Sequence, residues 1–387
     1  MLIALSFAEV GSRFTGTGGP YLYARAAFGR FVSFEVGWML WITRAASWAS
    51  VINGLMDSLS FYWPALAAGA GRPALMTATV TLITWVNLRG IKLSSRVINA
   101  LTVGKIVPLV LFAAIGLFFI DASRLIPSGP PAFASVTSAT VLLIFAFGGY
   151  EVVPVTGGET RDPRRAIPFA MMMTIVFVTL LMTAAQVVAL ATLPDLARSK
   201  TALADSAVTF LGAGGALLIT TAAVFAMTGN NFGQSLSGSR NLFALGEHGD
   251  IPGVFAWVHP RYRTPATAIL VTGAVALALA LSGTFTTLAI GSAITRLFVY
   301  AVSCAATLAL RRPRFAGVVN RPAFVAPGGP LIPAAGALLS VGIVAFATPR
   351  QISVGVAALA AGAALYVVTR LAGASARRVD EGYLEEG

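Results

Sequence analysis

Between Ala166 and Leu193 the chain carries no Asp, Glu, Lys or Arg, and the same holds from Ser206 to Ser239 and from Gln351 to Thr369. An α-helix crosses ~30 Å of hydrocarbon with ~20 residues at ~1.5 Å each. These runs are therefore long enough to span a bilayer, and they lack the charge that a water-facing helix needs. Pro322 to Pro349 encloses a fourth such run. Thr264 to Thr295 is too long for one span, and Ser282-Gly283-Thr284 inside it predicts a tight turn between two helices. The second of these helices continues through Arg296 to Leu310. Val97 to Ile120 is apolar except for Lys105, Ala132 to Tyr150 is charge-free with glycines near its end, and Pro73 to Leu88 is a shorter span. Phe31 to Leu59 is long and encloses Glu35, Arg44 and Asp57. The sequence thus predicts an all-α polytopic membrane protein with about 10 complete transmembrane helices.

Composition excludes the other classes. Charged residues are 11% of the chain, against about 25% in soluble domains, and mean hydropathy is +0.81. That rules out a soluble globular domain, a disordered chain and a disulfide-rich secreted module. The single cysteine, Cys304, cannot form an internal disulfide. A net charge of +12 raises the question of nucleic acid, but the basic residues sit in short clusters between apolar runs. No nucleic-acid partner is expected; the expected surroundings are the lipid bilayer. Taken alternately, one set of loops holds 19 of the 27 Lys and Arg and the other set holds 5. The basic side is the cytoplasmic one. This places the C-terminus in the cytoplasm, and Met1 on the outer side or within a plasma membrane.

Met1 to Val10 is apolar apart from Glu9 and covers ~15 Å, half a bilayer. It has no basic leader region, so it is not a signal peptide. It reads either as an interfacial or re-entrant helix, or as a sequence that starts in the middle of a transmembrane helix. No domain boundary appears. Residues 1–372 form one transmembrane domain, and 373–387 form a polar cytoplasmic tail expected to be mobile.

The stretch Phe145-Ala146-Phe147-Gly148-Gly149-Tyr150-Glu151 is the most informative for chemistry. The two glycines cost helix stability, Pro154 removes a backbone donor, and Glu151 places a carboxylate beside the membrane. Irregular backbone at membrane depth survives only where it is buried in protein or lines a cavity. Discontinuous helices of this kind mark substrate sites in secondary transporters. A kinked packing helix with glycines at close contacts is the other reading. Lys105 costs ~2.5–3.5 kcal/mol within a span, so it must snorkel or find oxygens. Its ammonium can also stand in for a bound cation among carbonyls, or take part in proton coupling. Arg44 and Arg296 should face the protein interior, with Glu35, Asp57 and Glu151 as available partners, either as structural ion pairs or in contact with an anion or substrate.

His248 and His259 lack metal-ligand spacing, and Gly16-Thr-Gly-Gly-Pro20 lacks the Lys and Ser/Thr of a phosphate loop. No nucleophile-elbow or zinc-hydrolase motif is present, so neither an enzyme, a cofactor nor a metal site is expected.

Ala8-Glu-Val-Gly-Ser-Arg-Phe14, Gly18-Gly-Pro-Tyr-Leu-Tyr23 and Ala27-Phe-Gly29 resemble the end of the second helix and the following loop of APC-superfamily amino acid permeases. Gly37-Trp through Trp41-Ile-Thr-Arg44 resembles their third helix. Phe145 to Glu151, with Glu159-Thr-Arg-Asp-Pro-Arg-Arg-Ala-Ile-Pro168, is similar to the sixth helix and its trailing loop. Ser239 to Pro252 is similar to the loop after the eighth. The resemblance covers nearly the whole chain, in order. It implies two inverted five-helix repeats plus two C-terminal helices, with the substrate between unwound first and sixth helices. It implies that Phe145 to Gly149 form the sixth-helix half of the site, with Phe145 as an aromatic gate and Glu151 close by. Lys105 matches a fifth-helix lysine that takes the place of a sodium ion in many such permeases. That favours proton coupling, exchange or uniport over sodium symport. The first family helix and half of the second have no counterpart in this sequence, so the chain is expected to be N-terminally truncated.

The expected function is secondary active transport of amino acids or related amines by alternating access. The alternatives are a non-transporting membrane scaffold or sensor, and an inactive truncated permease fragment.

Overall fold

The computed structural model describes residues 1–60, 62–64, 69–126, 129–130, 132–199 and 201–385, with the backbone alone at 91–97, 134, 156, 159 and 372–385. Lys200, residues 386–387 of the tail, and the side chains of Lys92, Arg96, Glu159, Arg377 and Arg378 therefore lie outside the described residues. Among the described residues twelve α-helices follow one another, with short 3-10 turns between several of them, and no strand occurs. They are α1 (Leu2–Gly11), α2 (Pro20–Phe28), α3 (Arg30–Leu59), α4 (Gly71–Arg89), α5 (Ile91–Gly116) and α6 (Phe133–Ala146). Then come α7 (Pro163–Thr192), α8 (Ala202–Glu247), α9 (Ala266–Ser282), α10 (Phe285–Ala309), α11 (Leu331–Ala345) and α12 (Pro349–Glu385).

Every expected span is met by a helix, so the all-α polytopic architecture holds. Six helical segments among the described residues are both long and apolar enough to cross a membrane: Ile98–Phe119, Ser135–Val155, Pro163–Thr192, Ala202–Glu247, Phe285–Ala309 and Pro349–Leu371. α9 and α11 are apolar but shorter. α3 has the length but carries four charged residues, and most of its residues are buried. It packs against α2, α4, α8, α9, α10 and α12. A helix wrapped on all sides by protein need not be apolar, which is why α3 can hold Glu35, Arg44, Ser47, Ser50 and Asn53 in buried positions.

The outer helices show the reverse pattern. Phe118, Phe169, Leu180, Leu338 and Leu371 are all more than 60% exposed. In a soluble protein such a surface would be an aggregation liability. Here it is the face that meets lipid, while polar side chains turn inward.

α1 packs within the bundle, against α7, α10 and α11. Phe7, Ala8 and Val10 are fully buried, and Phe7 makes edge contacts with Tyr23, Tyr150 and Tyr300 at 5.6–6.5 Å between centroids. The interfacial reading of this segment is not what its packing shows. α8 departs from the simple span expected over Ser206–Ser239. Gly212, at φ 63°, breaks it near its start, so a short arm precedes the membrane-length part. At the other end the helix runs on to Glu247, because Leu242 and Leu245 are buried with Tyr21, Phe34 and Trp41.

Candidate functional site

The centre of interest is the end of α6. The helix stops at Ala146, Gly149 follows with φ 130°, and a 3-10 stretch runs from Tyr150 to Glu159. A side chain at φ 130° is strained, so glycine is what permits the reversal there. Pro154 lies within the 3-10 stretch and cannot donate to an α-helical ladder. The last carbonyls of α6 are thereby left without their usual partners.

Glu151 fills the space beneath the break and is fully buried. Its Oε2 accepts from the backbone N–H of Gly149 at 2.8 Å and from the Tyr300 hydroxyl at 3.0 Å. Its Oε1 pairs with Arg44 Nη2 of α3 and lies 3.0 Å from Arg296 Nε of α10. Arg44 Nη1 also donates to Gln234 Oε1 of α8 at 3.1 Å. Arg296 Nη1 donates to the carbonyls of Ile144 and Phe145 at 3.2 and 3.3 Å, and its Nη2 to Ser47 Oγ at 3.1 Å. Arg296 thus covers the Ile144 carbonyl and shares the Phe145 carbonyl with the Gly148 N–H at the end of α6, where a positive charge also meets the negative end of the helix dipole. Beside it, Thr43 and Thr295 share a hydrogen bond of 2.8 Å across the α3–α10 contact. The side chains of Arg44, Arg296 and Glu151 are each at most 1% exposed. Ions this deeply buried survive only when paired and hydrogen-bonded.

The sequence-predicted residues divide into three groups. Glu151 is drawn to the break, with Tyr150 stacked on Tyr300 at 5.6 Å. Phe145 lies edge-on to Phe285 at 5.9 Å, with the Arg296 guanidinium 5.9 Å from its ring centre. Ala146 and Phe147 close the helix: Ala146 is exposed, while Phe147 and the two glycines are half-buried. Lys105 stands apart. It is half-buried on α5, which packs against α7 and α8, and among the described residues it makes no hydrogen bond or ion pair.

Of the three carboxylates available to the intramembrane arginines, only Glu151 is used. Asp57 pairs with Arg72 at 2.8 Å instead. Glu35 is buried with neither oxygen hydrogen-bonded. Sequence reasoning did not single out Gln234, Tyr300 or Ser47. The available signal was a Gln or Ser inside otherwise apolar runs, which many packing helices also carry.

The chain matches the family model described as amino acid permease over residues 1–369. An uncharacterized transporter of Mycobacterium tuberculosis is 32% identical over 391 aligned positions, covering 98% of this chain and 83% of the relative. A branched-chain amino acid permease of Bacillus subtilis is 28% identical over 291, covering 69% and 62%. A low-affinity putrescine importer of Escherichia coli is 28% identical over 297, covering 72% and 63%.

Proposed function

This chain belongs to the amino acid permease family, and from that premise we propose that it is a secondary active transporter of amino acids or related small solutes. It works by alternating access in the plasma membrane, with its C-terminus in the cytoplasm. The observation that carries the reading is the interrupted α6, whose freed backbone is bound by Glu151 and Arg296, with Arg44 of a third element paired to Glu151. A packing kink needs no such assembly of buried charge. A binding site that must release its ligand gains from it, because ionic contacts can be exchanged for solute contacts. Residues Phe145 to Glu151 form the solute-facing segment.

Transport is independent of sodium, by proton coupling, exchange or uniport. Two resident cations support this: Arg296 on the α6 carbonyls, and Lys105 on α5 without a carboxylate partner among the described residues. The test is uptake of labelled amino acids into proteoliposomes, with sodium replaced by choline and with an imposed pH gradient. Uptake unchanged in choline is expected. An absolute need for sodium overturns the coupling, and no uptake of any amino acid overturns the carrier reading.

A further inference from the structure

The charges at the break do not cancel. Arg44 and Arg296 bring two positive charges and Glu151 brings one negative charge, all at most 1% exposed. Among the described residues no second carboxylate pairs with either guanidinium. The other buried carboxylate of α3 is Glu35, which faces Gly362 of α12. It lies nine residues along α3 from Arg44, ~13 Å at ~1.5 Å per residue. Glu9 and Asp250 are committed elsewhere, to Arg311 and to Arg30. Lys105 adds a further intramembrane cation without a carboxylate partner among the described residues.

A second, independent observation concerns where a cation can bind. The carbonyls exposed by a broken helix are the natural acceptors for a solute ammonium. Here the carbonyls of Ile144 and Phe145 already accept from Arg296. The guanidinium also fills the space beside Gly148 so closely that no Cβ could be accommodated there. A diamine approaching this end of α6 meets a resident positive charge and acceptors already in use.

We propose that the site at the break takes carboxylate-bearing solutes of net negative charge and turns away diamines. The inference rests on the carrier reading and narrows its substrate class. An uncompensated buried guanidinium costs free energy that an incoming carboxylate recovers, whereas a cation adds to the excess. Arg44 Nε, buried without a hydrogen bond, is an available donor for such a ligand. Zwitterions fall between the two, since their charges cancel outside the site.

The experiment uses the full chain, purified in detergent, and reads the concentration-dependent rise in Tm as an apparent Kd for each probe. Two isosteric pairs isolate charge: glutamate against glutamine, and 4-methyl-2-oxopentanoate against leucine. Putrescine is the cationic probe. The expected result is that the net-negative member of each pair binds at least tenfold tighter, and that putrescine gives no shift at millimolar concentration. Arg296→Met, which leaves Arg44 and Glu151 balanced, should lose the preference within each pair. Should that variant not fold, the wild-type panel decides alone. Equal or reversed affinity within the pairs, or stabilisation by putrescine, overturns the inference and leaves the carrier reading standing. No stabilisation by any of the five compounds overturns both.

Discussion

The guanidinium of Arg296 lies in the space that any side chain on Gly148 would need. A Cβ built on Gly148 would overlap Nη1 and the central carbon of the guanidinium. The glycine therefore does more than weaken α6. It opens the gap through which an arginine from α10 reaches the carbonyls of Ile144 and Phe145.

Gly148→Ala should accordingly act as an arginine-displacing substitution. Arg296 would lose its carbonyl and Glu151 contacts, and overpacking of this kind costs about 1–3 kcal/mol. Uptake should fall at least tenfold with a lowered Tm. Gly342→Ala in α11 is the control, because a Cβ there meets nothing within 4 Å. It should leave both readings unchanged. Full transport by Gly148→Ala would show that the Arg296 contacts are dispensable.

Glu151→Gln leaves two buried guanidiniums without a carboxylate. Breaking a buried ion pair by removing one partner costs about 3–5 kcal/mol. The variant should be poorly stable in detergent and inactive. Restoring charge with Arg44→Met in the same chain should recover part of the stability, read as positive coupling in a double-mutant cycle. Additive losses would mean that the pairing contributes nothing net.

Lys105→Ala should separate stability from transport. Among the described residues the lysine has no hydrogen-bond or ion-pair partner, so its removal should leave Tm and membrane insertion intact. Flux should be abolished if the ammonium serves coupling. Unchanged flux would reduce Lys105 to a snorkelling side chain.

On the predicted cytoplasmic side, Asp250 joins three elements. It accepts from the Tyr21 hydroxyl at 2.7 Å and from Arg30 Nε at 2.7 Å, with Arg25 3.5 Å away. Burial, and then the bond to Asp250, push the Tyr21 hydroxyl above its ordinary range. A group whose ionisation is raised on folding adds stability below its unfolded value near 10, and that stability is lost as pH rises further. The wild type should therefore lose Tm above about pH 10 more steeply than Tyr21→Phe. Parallel pH profiles would remove the phenol from this account. Asp250→Asn should cost about 1–3 kcal/mol at neutral pH through the weakened Arg30 and Tyr21 bonds.

Much of the site was legible as residue types. A glycine pair followed by a glutamate and a proline signals an interrupted span, because each local choice opposes a continuous helix. Lysine and arginine inside apolar runs signal interior positions, because lipid offers them no partner. Reach was not legible. Lys105, expected to snorkel, to stand in for a bound cation or to take part in proton coupling, sits on α5 with no polar partner among the described residues, and its spacing in the run could not show which groups surround it. The short arm before Gly212 was also hidden, since one glycine in an apolar run reads equally well as a packing contact.

By itself the sequence determined the class of molecule, the approximate positions of its helices and the place where α6 breaks. These follow from local quantities: the length of charge-free runs, backbone freedom at glycine, and the donor missing from proline. Only the tertiary structure decided that Glu151, rather than Glu35 or Asp57, holds both Arg44 and Arg296. Arg44 and Glu151 are 107 residues apart in the chain. Their meeting depends on the rotation of α3 about its own axis and on where the chain leaves α6, and that of Arg296 with Glu151 on how α10 lies against both. Those arrangements are set by packing of whole helix faces, which no single residue or spacing encodes.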